Sequence, residues 1–448
     1  MRIAIIGAGI SGLTTAFYLN RAIPACELTI FDAAPQPGGT MHTENIDGFL
    51  FEAGGNGFLT NKPDSLQLVK DADAEDLLYP SSDLARKRYV YTDQLHRLPE
   101  SPPLFLQSGL LTLRQKLRVM GEIFVPRARG QNDETLQEFG YRRLGKGFTD
   151  VMLDAMVAGI YATTPDRLSV AAAFPLIVSL EREYGGLFRG MMAKRKKGAG
   201  PGGILMSFKG GVSSFIDHLQ EKISADWQLG TAVTAIESIA GGFRVSHDDN
   251  EREFDKVVVC SPAFAAANML ESLDSELASR LRAIDYSPIA VVGFGYRQLQ
   301  HDLDGFGLLT TTAARQSILG VLWDSSVFPD RAPPGCKVLR VMLGGQRNPD
   351  LVGLDEASLV ETARQGLRQT MGIDESPDVV YVRRWERGIP SYAPGHIERV
   401  ERIFNWASRH AGLYLTSNAY RGIAMNDAVL QARQTADQLA ADIAGFAG

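Results

Sequence analysis

The sequence predicts an α/β protein whose parallel sheet is assembled from separated segments of the chain, with a second, antiparallel sheet and a mainly helical outer domain. Three observations predict this fold. The first 32 residues contain a β-rich run, a glycine-rich turn, a helical pattern and a second β-rich run, in that order. Between residues 290 and 345, short β-rich runs are separated by Gly and Pro, as antiparallel strands are. Between residues 111 and 184, apolar residues recur at three- and four-residue spacing, which is typical of helices.

The turn after the first strand has the spacing of a dinucleotide-binding fingerprint. Residues 2–6 form a short apolar strand, and the GxGxxG spacing follows at once in Gly7, Gly9 and Gly12. These glycines permit a tight turn, a close approach of the backbone to a pyrophosphate, and close packing of the next helix on the sheet. Ser11 stands at the start of that helix, where free N–H groups favour phosphate. The pattern predicts a bound adenine dinucleotide, with a plain turn in another α/β protein as the alternative.

An acidic residue stands at the distance that this fingerprint requires. Asp32 ends the second β-rich run, where a carboxylate accepts hydrogen bonds from both ribose hydroxyls and would repel a 2′-phosphate. Residues 198–203 repeat the glycine spacing, but four basic residues precede them and a proline interrupts them, so they predict a flexible loop. A single fingerprint argues against a reductase that carries both a flavin and a nicotinamide site.

Composition limits the classes of function. A chain of 448 residues should form two or three domains, and its net charge of −6 gives no reason to expect nucleic acid as a partner. The three cysteines and seven histidines show no metal-binding spacing, so we expect no metal site. There is no run of about eighteen apolar residues, so we expect a cytoplasmic protein whose membrane contact, if there is any, is peripheral.

Two further glycine turns are candidates for the rest of the cofactor site. Gly38 and Gly39 follow the second strand and let backbone N–H groups approach another phosphate, with Thr40 beside them. A strand predicted from residue 48 ends in a corner that suits a flat ring system, with Gly54, Gly55 and Asn56. A plain turn and a bulged strand end are the alternative interpretations.

The remaining cofactor candidates lie later in the chain, and they are Val233, Trp385, Gly422 and Met425. Val233 belongs to a short β-rich run. A glycine turn at Gly422 precedes a long helix predicted from about Asn426, and the N-terminus of that helix would offer N–H groups to an anion or to the flavin.

These segments suggest three domains. Residues 1–78, 205–265 and 388–448 are assigned to the nucleotide-binding domain, residues 266–387 to an antiparallel sheet over the cofactor, and residues 79–204 to a helical outer domain. Two apolar groups in the helical segment, at residues 104–106 and 110–111, could contact a bilayer surface, although packing in the core is the favoured interpretation.

Taken together, the residues resemble a family, the flavin-dependent, oxygen-using protoporphyrinogen oxidases within the wider amine-oxidase-like flavoproteins. The resemblance covers nearly the whole chain. Beyond the fingerprint it is carried by Lys87-Arg88-Tyr89-Val90-Tyr91, Gly159-Ile160-Tyr161-Ala162, Gly344-Gly345-Gln346-Arg347 and Asn418-Ala419-Tyr420-Arg421-Gly422. The strand around Arg88 and the run from Gly159 are the more specific of these.

The resemblance implies non-covalent FAD and a propionate-bearing porphyrinogen above its ring. It also implies three successive two-electron oxidations, with O2 reduced to hydrogen peroxide each time, and no protein general acid or base. By position, Arg88 matches the arginine that pairs with a propionate, and Asn56 matches an amide near the reacting side of the ring. The apolar residues that would sandwich the pyrrole rings are Leu309, Leu322 and Met342. Without the resemblance, Arg88 would be interpreted as a surface residue and these three as core residues.

This chain departs from the family pattern at several places. Many members have an aromatic residue at Met342, a basic residue at Thr40, a glycine at Ser417 and a cysteine at Ala428. A softer wall at Met342 and altered flavin contacts are the expected consequences.

Four functions remain open at this point. The leading one is oxidation of protoporphyrinogen IX, and the nearest alternative is oxidation of coproporphyrinogen III to coproporphyrin III, whose four propionates should favour more cations in the pocket. An amine oxidase would place a lysine by the flavin and an aromatic cage around the amine. A flavin-binding or structural protein without turnover is the fourth. The sequence leaves open whether the chain forms a homodimer.

Overall fold

The computed structural model describes residues 1–128, 130, 133–196 and 203–446. Its strands are β1 (Arg2–Ile6), β2 (Glu27–Asp32), β3 (Thr43–Ile46), β4 (Phe49–Glu52), β5 (Phe58–Leu59), β6 (Leu78–Pro80), β7 (Arg88–Tyr91), β8 (Leu95–Arg97), β9 (Leu205–Phe208), β10 (Asp226–Leu229), β11 (Val233–Ile239), β12 (Gly242–His247), β13 (Asn250–Phe254), β14 (Lys256–Val259), β15 (Tyr286–Tyr296), β16 (Gly307–Thr310), β17 (Ile318–Leu322), β18 (Lys337–Gly344), β19 (Val379–Pro390) and β20 (Leu413–Leu415).

The helices are α1 (Ile10–Ala22), α2 (Asp64–Asp71), α3 (Pro102–Gln107), α4 (Leu113–Met120), α5 (Leu136–Arg143), α6 (Lys146–Phe148), α7 (Asp154–Tyr161), α8 (Val170–Ala173), α9 (Pro175–Tyr184), α10 (Leu187–Lys196), α11 (Val212–Lys222), α12 (Ala263–Met269), α13 (Ser275–Arg282), α14 (Asp324–Val327), α15 (Glu356–Met371), α16 (His396–Ala407) and α17 (Met425–Phe446).

The parallel sheet is confirmed, and it is assembled from separated segments as predicted. Its strand order is β10-β2-β1-β14-β20, and every neighbouring pair is parallel. The inner residues of β1 are completely buried, as expected for a strand with helices on both faces. Helices α1, α11 and α17 contribute to the core on one face, and α12, α13 and α16 to the core on the other.

The antiparallel sheet is also confirmed and has seven strands, in the order β19-β15-β18-β17-β16-β7-β8. Among its pairs, β16 and β7 run parallel, with Leu309 opposite Val90. Strands β7 and β8 lie within residues 79–204, which the sequence assigned to the helical domain. In the structure they extend the antiparallel sheet, because β7 pairs with the edge strand β16 and β8 pairs with β7. Strand β19 also continues past residue 387 to Pro390. The division into three domains stays a prediction, and the strands β7, β8 and β19 cross its proposed boundaries.

The helical segment consists of shorter helices than the three that its apolar spacing predicts, at about residues 111–129, 135–161 and 169–184. The long pattern at residues 135–161 is interrupted after α5, where Gly145 has a φ of 89°, and by a π-helical turn at Thr149–Leu153. Ala162, with a φ of 49°, ends α7. Apolar periodicity reports the buried face of these helices but not such breaks, which explains the difference.

The stretch from Arg189 to Gly203 is basic and then glycine-rich, which predicts an exposed and mobile loop. This prediction is wrong for residues 189–196, which belong to α10. A Cβ on Gly190 would lie 2.7 Å from the Leu180 side chain, so this glycine lets α10 pack closely on α9. Residues 198–202 of the second glycine-spaced run lie outside the described residues.

Part of the apolar surface of the helical segment faces outward. Leu104 and Leu106 are each 48% exposed, but Phe105 between them packs against the core, and Leu110 and Leu111 are buried. Core packing therefore holds for the second group and for only one residue of the first. None of the helices in the described part of the chain combines the length and hydrophobicity that a bilayer crossing requires.

Candidate active site

A cavity of about 560 Å³ lies between α7, the corner at residues 53–57 and the strands β16, β17 and β18. The structure brings nine of the predicted site residues together around it, and they are Thr40, Gly54, Gly55, Asn56, Arg88, Leu309, Leu322, Met342 and Trp385. These residues come from five separate regions of the sequence. Their convergence makes this cavity the candidate active site.

The fingerprint residues form a second group, at the carboxyl ends of the parallel strands. Gly9 and Gly38 form a parallel bridge, and the Gly38 N–H donates to the Ala8 carbonyl at 2.8 Å. A Cβ on Gly12 would lie 1.8 Å from the Gly7 carbonyl oxygen, so only glycine allows α1 to sit this close to the turn. The fingerprint turn and the turn at Gly38 and Gly39 are therefore parts of one surface, with Ser11 at its helix end.

Asp32 holds the fingerprint turn in place. Its carboxylate accepts from the Ala8 N–H at 2.6 Å and from the Ala34 N–H at 2.8 Å. An ionised carboxylate has about four acceptor sites, so two remain for ribose hydroxyls. The dinucleotide-binding role predicted for Asp32 is compatible with this geometry.

Two local features show that this region fits a bound dinucleotide. A Cβ on Gly9 would meet nothing nearer than the Gly38 carbonyl oxygen at 4.0 Å, so the backbone faces open space there. Next to Gly7, the buried hydroxyl of Ser261 has no hydrogen-bond partner among the described residues. An unpaired buried hydroxyl beside an open glycine turn is what a polar cofactor would satisfy.

The other three predicted cofactor residues do not line the main cavity. Val233 begins β11, two residues after Thr231, whose N–H donates to the Asp32 carbonyl at 2.8 Å. Gly422 lines a second cavity of about 610 Å³, between α9, α16 and α17. Met425 is buried as the first residue of α17. Both cavities are lined by Ile160 and by Ile423, so Gly422 lies next to a wall that the two cavities share.

The corner at residues 53–57 depends on glycine. A Cβ on Gly54 would lie 2.5 Å from the Thr40 carbonyl oxygen, whereas a Cβ on Gly55 would meet no atom within 4 Å. The indole N–H of Trp385 donates to the Ala53 carbonyl at 2.8 Å and fixes the start of the corner. Gly54 therefore serves tight packing, and Gly55 leaves the backbone open towards the cavity.

Four buried charged residues that the sequence analysis missed lie beneath this corner, and they are Glu52, Asp324, Arg331 and Arg340. Arg340 forms a salt bridge with Asp324 at 2.8 Å, and Arg331 forms one with Glu52 at 3.1 Å. Burial raises the pKa of Glu52, and the Arg331 guanidinium opposes part of that rise. The sequence did contain a signal for Arg340, since it interrupts the otherwise apolar run Val338-Leu339-Arg340-Val341. A charge in a strand that is buried must be paired, so a partner could have been expected.

Arg88 is the exposed first residue of β7, and its guanidinium stacks over the Phe306 ring at 5.0 Å. Its basic neighbours have acidic partners, since Arg86 pairs with Asp83 and Lys87 with Asp304. Among the described residues, no acidic group forms a salt bridge with Arg88. Its charge is thus available at the cavity mouth to a ligand carboxylate.

The apolar wall is built by neighbouring strands. Leu309 faces Gly320 across β16 and β17, and Met342 faces the same glycine from β18, so their side chains converge. On the helix side, a Cβ on Gly159 would lie 2.7 Å from the Leu309 side chain. Gly159 was recognised only as a family motif, and the structure shows that it lets α7 approach β16.

The sequence matches the family of flavin containing amine oxidoreductases over residues 10–440. It is 28% identical over 455 residues to a coproporphyrinogen III oxidase from Bacillus subtilis (strain 168), covering 96% of each chain. It is 27% identical over 473 residues to a chloroplastic protoporphyrinogen oxidase from Nicotiana tabacum, covering 99% of this chain and 85% of that one.

Among solved structures, a candidate protoporphyrinogen oxidase from Exiguobacterium sp. 255-15 superposes with a TM-score of 0.87 at 26% identity, covering 98% of this chain and 99% of that one. Reduced UDP-galactopyranose mutase, at 17% identity and a TM-score of 0.75, shares the fold. With the fingerprint, the open glycine turn and the family match over residues 10–440, the chain belongs to the flavin containing amine oxidoreductases and is an FAD-dependent oxidoreductase.

Proposed function

We propose that the chain oxidises protoporphyrinogen IX to protoporphyrin IX with O2 as the acceptor. The carrying observation is an apolar cavity of about 560 Å³ with one unpaired cation, Arg88, at its mouth and a glycine corner on another wall. Bound FAD supplies two-electron oxidation. The porphyrinogen loses six electrons and six protons over three steps, and three O2 become three H2O2. Its two relatives named above act, by their names, on two different porphyrinogens.

The protein's own contribution is binding and orientation. Arg88 binds a propionate bidentately at the cavity mouth, since a guanidinium keeps its charge next to apolar groups. Leu309, Leu322 and Met342 hold the macrocycle and exclude water, so the carbon that loses hydrogen faces the corner. FAD would lie along the fingerprint turn and Asp32, with its ring at Gly54 and Gly55. No side chain acts as a general acid or base in this proposal.

The number of available cations favours protoporphyrinogen over coproporphyrinogen. Two arginines line the cavity, but all five N–H donors of Arg340 are engaged by protein acceptors. Arg88 alone is left for a substrate with two propionates, and a substrate with four would find most of them uncompensated. Coproporphyrinogen III oxidation remains the second candidate, because the relatives of both kinds are similarly identical to this chain.

An amine oxidase is less well supported by the cavity. Among the described residues that line it, none is a lysine, and Trp385 donates its indole N–H to the backbone at one edge. The leucine and methionine side chains suit a large apolar macrocycle better than a small cation.

The test is anaerobic mixing of the FAD-loaded protein with each porphyrinogen while the visible absorbance of the oxidised flavin is followed. Rapid bleaching by protoporphyrinogen IX and slower bleaching by coproporphyrinogen III would support the proposal. The reverse order would favour the second candidate. A stable absorbance with both would leave a flavin protein of another activity.

We also propose peripheral contact with a membrane through the helical segment. Leu117 is 57% and Phe124 81% exposed on the same segment as Leu104 and Leu106. Exposed apolar side chains of this size fit a bilayer interface, and a homodimer contact is the competing use. Co-flotation with anionic lipid vesicles, lost in Phe124→Ser, would support the membrane; a concentration-dependent mass lost in the same variant would support the dimer.

A further inference from the structure

Arg340 lies beneath the cavity corner with every donor of its guanidinium engaged. Its Nε donates to Asp324 Oδ2 at 2.9 Å, and its Nη2 donates to Asp324 Oδ1 at 2.8 Å and to Asn56 Oδ1. Its Nη1 donates to the carbonyl oxygens of Glu52 and Gly54, the latter at 3.1 Å. Five N–H donors thus meet five acceptors. Two of the acceptors belong to the corner at residues 53–57, and a third, the Glu52 carbonyl oxygen, directly precedes it.

The same group determines the orientation of the Asn56 amide. Its oxygen accepts from Arg340, and its Nδ2 donates to Asp324 Oδ1 at 3.2 Å. A flipped amide would direct its NH2 at a guanidinium and its oxygen at a carboxylate, which electrostatics disfavours in a buried site. One Nδ2 hydrogen is left over, and Asn56 lines the cavity. The atom that Asn56 presents to a ligand is therefore a hydrogen-bond donor.

We propose that Arg340 is a positioning residue that holds the Asn56 amide so that an N–H meets a carbonyl oxygen of the FAD ring. The inference rests on the proposed placement of that ring at the corner but not on the proposed substrate. The pyrrole N–H groups of a porphyrinogen are donors, so they cannot satisfy this amide. In this proposal Asn56 serves the cofactor, in agreement with its place in the corner that was predicted to suit a flat ring system.

The chemical consequence is a more readily reduced FAD. Electron density on the ring carbonyls increases when the flavin is reduced, and a positioned donor stabilises that charge. Loss of the donor should therefore favour the oxidised form. A donor directed at ring nitrogen N5 would have the opposite effect, because that nitrogen carries hydrogen after reduction.

The experiment measures the two-electron potential of FAD bound to the full chain, by equilibration with redox dyes and without porphyrinogen. We expect Asn56→Leu to shift the ratio of oxidised to reduced FAD about tenfold towards oxidised, equal to about 30 mV for a two-electron couple. Arg340→Lys keeps the charge but offers three donors for five acceptors, so it should shift the ratio in the same direction. The double variant should match Asn56→Leu alone. An unchanged or raised potential in Asn56→Leu would overturn the proposal.

Arg331→Lys is the matched control. Arg331 is equally buried and pairs with Glu52, but it donates to Ser207 and the Phe208 carbonyl and makes no hydrogen bond to Asn56. Arg331→Lys should change the ratio of oxidised to reduced FAD by no more than about twofold. A shift equal to that of Arg340→Lys, or additive effects of Arg340→Lys and Asn56→Leu, would assign Arg340 a structural role only.

Flavin analogues test the donor itself and remain decisive if Arg340→Lys does not fold. Replacing the ring oxygen O4 or O2 by sulfur weakens that acceptor and leaves the N3–H unchanged. With one of these analogues, the difference between wild type and Asn56→Leu should fall from about tenfold to about twofold. A difference that persists with both analogues would show that Asn56 does not donate to a ring carbonyl.

Discussion

Asp324 and Arg340 form two parallel hydrogen bonds in a fully buried site, Nε to Oδ2 at 2.9 Å and Nη2 to Oδ1 at 2.8 Å. Asp324 begins α14 and Arg340 lies in the middle of β18, so the pair joins two elements beneath the cavity. Such a pair is geometrically specific, and breaking it leaves a buried charge without compensation.

Asp324→Ala should therefore lower the free energy of unfolding by about 3–5 kcal/mol, measured by urea denaturation with the flavin signal and circular dichroism in parallel. Glu398→Ala is the control, because Glu398 pairs with Arg402 on the surface. This variant should lower the free energy of unfolding by about 0.5 kcal/mol or less. Equal effects of the two replacements would mean that the buried pair contributes no more than a surface pair.

Asp32→Ala should weaken FAD binding by about 1.5–3 kcal/mol, through lost hydrogen bonds to the ribose. The protein as purified should be yellow and release intact FAD on denaturation. Asp32→Asn separates the loss of ribose hydrogen bonds from a disturbed turn. Its amide oxygen can still accept from one of the two turn N–H groups that now donate to Asp32. FAD affinity is measured by titration of the stripped protein, and unchanged affinity in Asp32→Ala would contradict the assigned ribose contact.

Arg88→Ala should leave FAD content intact and lower kcat/KM by roughly thirty- to several-hundred-fold, equivalent to about 2–4 kcal/mol, mainly through KM. Arg88→Lys should recover only part, because an ammonium lacks the fork. Arg86→Ala is the matched control, since Arg86 already pairs with exposed Asp83. Ester analogues of the substrate should remove most of the difference between wild type and Arg88→Ala. Normal kinetics with the free acid would show that Arg88 does not bind it.

Protoporphyrinogen IX should have a higher kcat/KM than coproporphyrinogen III under identical detergent and oxygen concentrations. The reason is that one unpaired arginine serves the cavity and the second is fully engaged. Introducing a cation by Leu322→Lys should narrow the difference between the two substrates. A wild-type preference for coproporphyrinogen III would reject this assignment.

His396 should make the fold sensitive to acid. It is buried, stacks on Tyr392 and hydrogen-bonds to the Tyr420 carbonyl at 3.0 Å. Burial lowers its pKa to about 4, so the unfolded chain binds its proton first as the pH falls below about 6.5. Its contribution to stability is complete above pH 6.5 and is lost between about pH 6.5 and 4.

Between pH 7 and 5 this residue should account for a loss of about 2 kcal/mol in unfolding free energy. His396→Gln can keep the bond to Tyr420 but cannot titrate, so its stability should fall less over that range. Parallel pH slopes for wild type and His396→Gln would contradict a buried neutral histidine.

The local features of the nucleotide-binding unit followed from sequence alone. Strand, glycine turn, helix and acid are consecutive, and the atoms that crowd Gly12 belong to Gly7 and Ile5 of the same βαβ unit. The parallel and antiparallel sheets were likewise predictable, because their apolar periodicities differ. The helical breaks near Gly145 and the π-helical turn were not, because they depend on packing rather than on period.

The composition of the cavity was decided by tertiary structure. Leu309, Leu322 and Met342 looked like core residues, and only the register of β16, β17 and β18 directs them to one wall. Arg340 and Asp324 are sixteen residues apart, and Arg340 is 284 residues from Asn56, yet one hydrogen-bonded group joins all three. The sequence determines which polar and charged groups need a partner when they are buried. Only the fold determines which residue that partner is, because residues that meet across sheets leave no periodic signal in the chain.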